Sequence, residues 1–138
     1  SSRDAMVGMY EKYGYYKDEV KSIGLKGIEG LAKIQEIMEH FRTDAPAEFG
    51  GFKVVSARDY KADTIKDIAS GEVKPTGLPS SNVLYYDLED NAWLCVRPSG
   101  TEPKIKFYYG IKGASLEDAA KKSEKLGEAV MAEVNKLL

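Results

Sequence analysis

Apolar residues along this chain follow two spacings, and the switches between them mark out its elements. From Gly27 to Arg42, Leu31, Ile34, Ile37, Met38 and Phe41 recur every three or four residues. That is the single stripe of an amphipathic helix, and Thr43-Asp44-Ala45-Pro46 stops it. Leu116, Ala119, Leu126, Val130, Val134 and Leu137 form a second stripe near the C-terminus. Ser115 caps this helix, with Asp118 three residues on as a weaker version of the capping box. Glu117–Lys121 and Asp118–Lys122 are i,i+4 pairs on its outer side. Ile105, Phe107, Tyr109 and Ile111 instead alternate with Lys106, Tyr108 and Gly110, which predicts a strand with one buried face.

Further strands are predicted at Phe52–Ala57, opened by Gly50-Gly51, and at Val83–Leu88 and Ala92–Val96, joined through Glu89-Asp90-Asn91. Val20–Leu25 predicts a hinge followed by a first strand. Met6, Met9, Tyr10 and Tyr13 share one helical face over Asp4–Tyr13, with Gly14 as its end. Residues 1 to about 16 are expected to be frayed or weakly docked. Arg58–Pro79 is a long polar connection with one helical turn near Thr64–Ala69, and connections of that length tend to be functional or mobile. Helices alternating with paired strands predict an α+β fold in two layers, a mainly antiparallel sheet packed against two helices.

Composition narrows the function. The 138 residues are 43% hydrophobic and 30% charged, with a formal net charge of −2, which suits one soluble domain with a real core. The acidic balance argues against nucleic acid as a partner. No run of about 18 apolar residues predicts a membrane span, and the N-terminus has no signal-peptide core. The single cysteine, Cys95, excludes an internal disulfide and fits a cytoplasmic setting. Within its apolar strand it reads as a small hydrophobe rather than a nucleophile. Glu89 and Asp90 sit at a hairpin tip, where side chains face solvent rather than a metal. His40, beside the helix end at Phe41-Arg42, reads as a surface residue, and no Ser/His/Asp constellation accompanies it.

The chemistry concentrates in Arg97-Pro98-Ser99-Gly100-Thr101-Glu102-Pro103. Arg97 offers a charged fork of donors that matches phosphate oxygens. Ser99 and Thr101 add hydroxyls. Gly100 permits the sharp turn that lets successive N–H groups converge on an anion. The two prolines stiffen the flanks, so less order is lost on binding. A plain turn also uses Gly, Pro and Ser, but no role in a plain turn needs the arginine and both hydroxyls together. A Walker loop is absent, because Thr-Glu-Pro-Lys follows Gly100. Gly24, Gly27 and Gly30 do not form G-x-G-x-x-G and read as flexibility at the start of a helix.

RPSGTEPKIK, from Arg97 to Lys106, resembles the phosphate-binding signature in the last domain of the α-D-phosphohexomutases, the phosphoglucomutase/phosphomannomutase family. The likeness extends through YGYYKDEV, LKGIEGLAKIQEIMEHFR, FGGFKVV and LPSSNVLYYDLEDNAWLCV, and is nearest the bacterial phosphoglucomutase-type branch. It implies a TATA-binding-protein-like domain over residues 21–138, with residues 1–20 as tail and hinge from a preceding domain and residues 14–27 as the hinge. In that family a phosphoserine on another domain exchanges a phosphoryl group with a phosphosugar, as in converting glucose 1-phosphate to glucose 6-phosphate. The resemblance assigns to this domain the phosphate that does not react. Arg97, Ser99, Gly100, Thr101 and Lys106 match that role, and Lys104 matches it more weakly. Glu102 braces the loop, since a carboxylate repels phosphate.

The resemblance further implies Mg²⁺ and a hexose 1,6-bisphosphate for a full-length isomerase, with no cofactor in this domain. Its partners would be the phosphosugar and the other domains of the same chain. The serine loop, the aspartate-rich metal loop and the sugar-discriminating loop are missing from these residues, so the fragment alone is expected to be inactive. Two other readings compete. One is a regulatory or interaction domain without phosphosugar binding. The other is an RNA-binding sheet that stacks bases on Tyr85, Tyr86, Phe107, Tyr108 and Tyr109, although RNP-like spacing is absent.

Overall fold

A computed structural model describes residues 15–138; the helical face read at Asp4–Tyr13 lies outside the described residues. The chain runs β1 (Tyr15–Gly24), α1 (Gly27–Thr43), β2 (Glu48–Phe49), β3 (Phe52–Asp59), β4 (Thr64–Asp67), β5 (Val73–Lys74), β6 (Leu84–Leu88), β7 (Trp93–Pro98), β8 (Lys104–Gly113) and α2 (Leu116–Asn135). One antiparallel sheet orders them β1-β8-β7-β6-β3-β4-β5, with β2 on β3. Helices α1 and α2 cover one face. The fold is the expected α+β pair of layers.

Strand alternation decides which side chains meet the helices. Leu84, Tyr86, Leu88, Leu94, Val96, Ile105, Phe107, Tyr109 and Ile111 are all buried. Against them lie Ile34, Ile37, Met38 and Phe41 of α1, and Ala119, Leu126, Val130 and Val134 of α2. Phe41, Phe49, Phe107 and Tyr86 form a chain of ring contacts at 5.4–6.2 Å, and the Tyr86 hydroxyl donates to the Phe41 carbonyl. Two residues of the expected stripes fall outside this core. Leu31 is 45% exposed and Leu116 is 72% exposed, and each sits in the first turns of its helix.

Among the described residues, the opposite face of the sheet carries no helix. Tyr85 and Trp93 stack there at 5.8 Å, and the Arg58 guanidinium lies 4.8 Å from the Tyr85 ring centre. Arg58 also forks onto Asp87. The five aromatics that suggested a stacking platform are therefore split. Tyr86, Phe107 and Tyr109 are core, while Tyr85 and Tyr108 are half-buried on the open face. Cys95 is on that open face too, half-buried rather than in the core.

Three expectations are corrected. The first strand runs Tyr15–Gly24, starting earlier than the strand expected within Val20–Leu25, and pairs with β8 along all ten residues. Its helix-facing positions include Lys17, Glu19 and Lys21, whose charges hide the period of two. Thr64–Ala69 is not a helical turn, since Thr64–Asp67 pairs with β3. Asp59 accepts from the amides of Lys61 and Ala62 at 3.1 and 3.2 Å, an Asx turn that closes this hairpin. Such outlying strands bury little, so their sequence stays polar. His40 is not a surface residue: its side chain is 14% exposed, and Nε2 lies 3.0 Å from Glu133 Oε1 on α2.

Glu133 joins the two helices through His40, and Lys136 at the end of its own helix also donates to it. Burial opposes its charge, but hydrogen bonds from Lys136 and His40 outweigh it and hold the carboxyl below its ordinary value. The predicted cap of α2 is present. Ser115 Oγ accepts the Asp118 amide at 3.0 Å, and Asp118 accepts the Ala114 amide at 2.8 Å. The two i,i+4 pairs on α2 form at 3.5 and 3.2 Å.

Candidate functional site

The heptapeptide singled out in the sequence connects β7 to β8. Val96 points into the core, so its neighbour Arg97 must point to the open face. On β8 the same alternation buries Ile105 and Phe107 and turns Lys106 outward. The ladder pairs Arg97 directly with Lys106. Both are exposed, and neither meets a carboxylate or any other hydrogen-bond partner among the described residues. Two like charges facing each other across antiparallel strands repel.

Between the strands the chain turns through Gly100, with φ +87°, a conformation that favours glycine. The Ser99 amide donates to the Lys104 carbonyl at 2.9 Å, and the Lys104 amide to the Glu102 carbonyl at 2.7 Å. These bonds close the loop from both sides. The amides of Gly100, Thr101 and Glu102 have no acceptor among the described residues. The Ser99 and Thr101 hydroxyls stand 3.5 Å apart. Ser99, Gly100, Thr101 and Glu102 are all exposed. The loop thus presents three idle amides and two hydroxyls near two unpaired cations, a donor set suited to a tetrahedral anion.

The remaining charges behave differently. Lys104 is tied to Glu102 at 3.0 Å, which cancels much of its field. Glu102 braces the loop through this pair and through its carbonyl. Cys95 sits one outward position before Arg97 on β7. Burial pushes its thiol up against the pull of the Arg97 guanidinium, so it stays protonated and inert at neutral pH. Glu89 accepts the Lys53 amide at 3.1 Å. No group of three metal-ligating side chains gathers among the described residues. No helix among them is long and apolar enough to cross a membrane.

Sequence reasoning missed the floor of the loop. The amide of Leu25, between β1 and α1, donates to the carbonyl of Pro103 at 2.7 Å. The only signal for it was the glycine run Gly24, Gly27, Gly30, which read as flexibility. Two concavities lie elsewhere. One of about 300 Å³ is framed by Phe41, Pro46, Val54, Ala57 and Tyr86. One of about 540 Å³ lies between β1 and α2. Neither includes any of residues 97–106. The loop itself is exposed.

Comparison with known proteins bears on what this loop belongs to. The family model described as "Phosphoglucomutase/phosphomannomutase, C-terminal domain" matches residues 26–125. A phosphoglucomutase of Staphylococcus aureus (strain MRSA252) is 37% identical over 120 residues, covering 87% of this chain and 22% of that protein. The phosphoglucomutase of Staphylococcus saprophyticus is 30% identical over 122 residues, covering 88% and 22%. The chain therefore spans about a fifth of the length of these relatives. Because that family model spans most of the chain, residues 26–125, this chain belongs to the family of phosphoglucomutase/phosphomannomutase C-terminal domains.

Proposed function

We propose that this domain holds the non-reacting phosphate of a phosphosugar while another domain of the same polypeptide exchanges a phosphoryl group at the sugar's other end. The observation that carries the proposal is the juxtaposition of Arg97 and Lys106 beside a loop in which the amides of Gly100, Thr101 and Glu102 have no acceptor among the described residues and the Ser99 and Thr101 hydroxyls meet only each other. A bound dianion turns that repulsion into attraction and satisfies every idle donor. Arg97 supplies the bidentate contact. Ser99 and Thr101 bond the oxygens left over. The amides of Gly100, Thr101 and Glu102 complete a nest, and Lys106 adds a point charge.

No bond is made or broken here. The contribution is positional. Charge-assisted hydrogen bonds are worth roughly 1.5–3 kcal/mol each, so several of them supply enough remote binding energy to orient the reacting end and favour a closed site. An exposed half-site suits this role, because a substrate with a phosphate at each end must be released and turned between steps. The whole protein would act as an isomerase of the glucose 1-phosphate to glucose 6-phosphate type, in the cytoplasm, with Mg²⁺ and the reacting serine supplied by other domains.

Backbone amide NMR of the chain, titrated in parallel with glucose 1-phosphate and a short single-stranded RNA, tests this reading. Phosphosugar-dependent shifts confined to residues 97–106 are expected. Shifts centred on Tyr85, Trp93 and Tyr108 with RNA would favour a nucleic-acid module. No response to either would favour an interaction domain that keeps the fold without the ligand.

A further inference from the structure

We infer that Gly30, in the first turn of α1, is a positioning residue for the phosphate loop, and that it acts through Pro103. This rests on reading that loop as the phosphate site. Gly30 has no positive φ, so its backbone would accept alanine, and within a helix alanine is the more stable choice. The reason for glycine is space. A Cβ at Gly30 would stand 3.0 Å from Leu25 Cβ, 3.1 Å from the Leu25 carbonyl carbon and 3.1 Å from Pro103 Cβ. Gly27 provides the contrast. It has φ +70° and nothing within 4 Å of where its Cβ would lie, so it serves the turn and not the packing.

The contact at Gly30 reaches the loop by a short route. Pro103 is the last residue before β8, and its ring fixes φ, so it cannot swing aside alone. Its carbonyl is held by the Leu25 amide at 2.7 Å. On one side of it the Lys104 amide bonds the Glu102 carbonyl, and on the other the Lys104 carbonyl bonds the Ser99 amide. Gly24 pairs with Lys104 in the β1–β8 ladder. Pro103 is thus clamped between the start of α1 and the end of β1. Moving it by a few tenths of an ångström shifts Glu102 and Lys104 and with them the idle amides of the loop. Of the three glycines of that run, Gly30 has this use: it lets a helix press on the back of the loop.

The experiment compares the chain with its Gly30→Ala variant by backbone amide NMR, first without ligand and then titrated with inorganic phosphate. Without phosphate, the variant is expected to shift the amides of Ser99, Glu102 and Lys104. Its phosphate half-saturation should rise about five- to tenfold, in keeping with the steep cost of small misplacements, while its thermal midpoint stays level or rises. In the wild-type chain, saturating phosphate should slow hydrogen exchange at the Leu25 amide. A variant whose shifts stop within residues 25–34, with wild-type phosphate affinity, overturns the inference. So does a Leu25 exchange rate that phosphate leaves unchanged in a chain whose loop amides do respond. A wild-type chain with no phosphate response sinks the ligand reading instead, and the ligand-free spectra then decide the coupling alone.

Discussion

Arg97 and Lys106 face each other across β7 and β8 with no counter-charge among the described residues, which makes each more useful to a ligand than to the fold. Replacing Arg97 by alanine should lower phosphate affinity about 10- to 100-fold, since charge-assisted hydrogen bonds contribute roughly 1.5–3 kcal/mol each. The same change should leave the thermal midpoint unchanged or slightly raised, because it relieves the repulsion of Lys106. Calorimetric titration and thermal melts of the same samples check both halves. Arg97→Lys should recover only part of the affinity, because an ammonium lacks the planar fork. The residue types in this site were legible because they are contiguous in the chain. The pairing of Arg97 with Lys106 was not, since it depends on hairpin register, and neither was the contact of Leu25 with Pro103, which joins segments far apart in sequence.

Helix α2 supplies two tests of how its elements are held. Ser115 caps its first turn, so Ser115→Ala should destabilise the chain by about 1 kcal/mol in urea unfolding, with phosphate affinity unchanged. At the other end Glu133 ties α2 to His40 of α1. Its carboxyl is depressed below the ordinary value of 4.5. A depressed carboxylate contributes stability that is fully present above its unfolded value and lost as pH falls through the lower folded value. The thermal midpoint of the wild-type chain should therefore fall below about pH 4.5 more steeply than that of Glu133→Gln. Parallel slopes would contradict this role. Helix stripes and central strands were readable because their apolar periods are strong where burial is complete. The polar strands β4 and β5 and the charged inner face of β1 were not, because little apolar surface is buried there. His40 was misjudged for a different reason. Position near a helix end suggests exposure, and only the packing of α1 on α2 brings Glu133 to it.

At the scale of the whole molecule, one face of the sheet is buried by two helices, and the loop projects from the end where β1 gives way to α1. The chain spans 22% of the length of its staphylococcal relatives, and the reacting serine and metal loops are not in its sequence. Assayed alone with glucose 1-phosphate and Mg²⁺, the 138 residues should show no glucose 6-phosphate formation. Turnover by this chain without any added domain would overturn the division of labour proposed for it.

A crystal of the chain soaked in glucose 6-phosphate shows whether the β7–β8 loop grips a phosphate. Tetrahedral density is expected there, held by Arg97, the Ser99 and Thr101 hydroxyls and the amides of Gly100, Thr101 and Glu102, at donor distances of about 2.7–2.9 Å. Density bound elsewhere at full occupancy, with Arg97 turned away and the loop amides untouched, would contradict it.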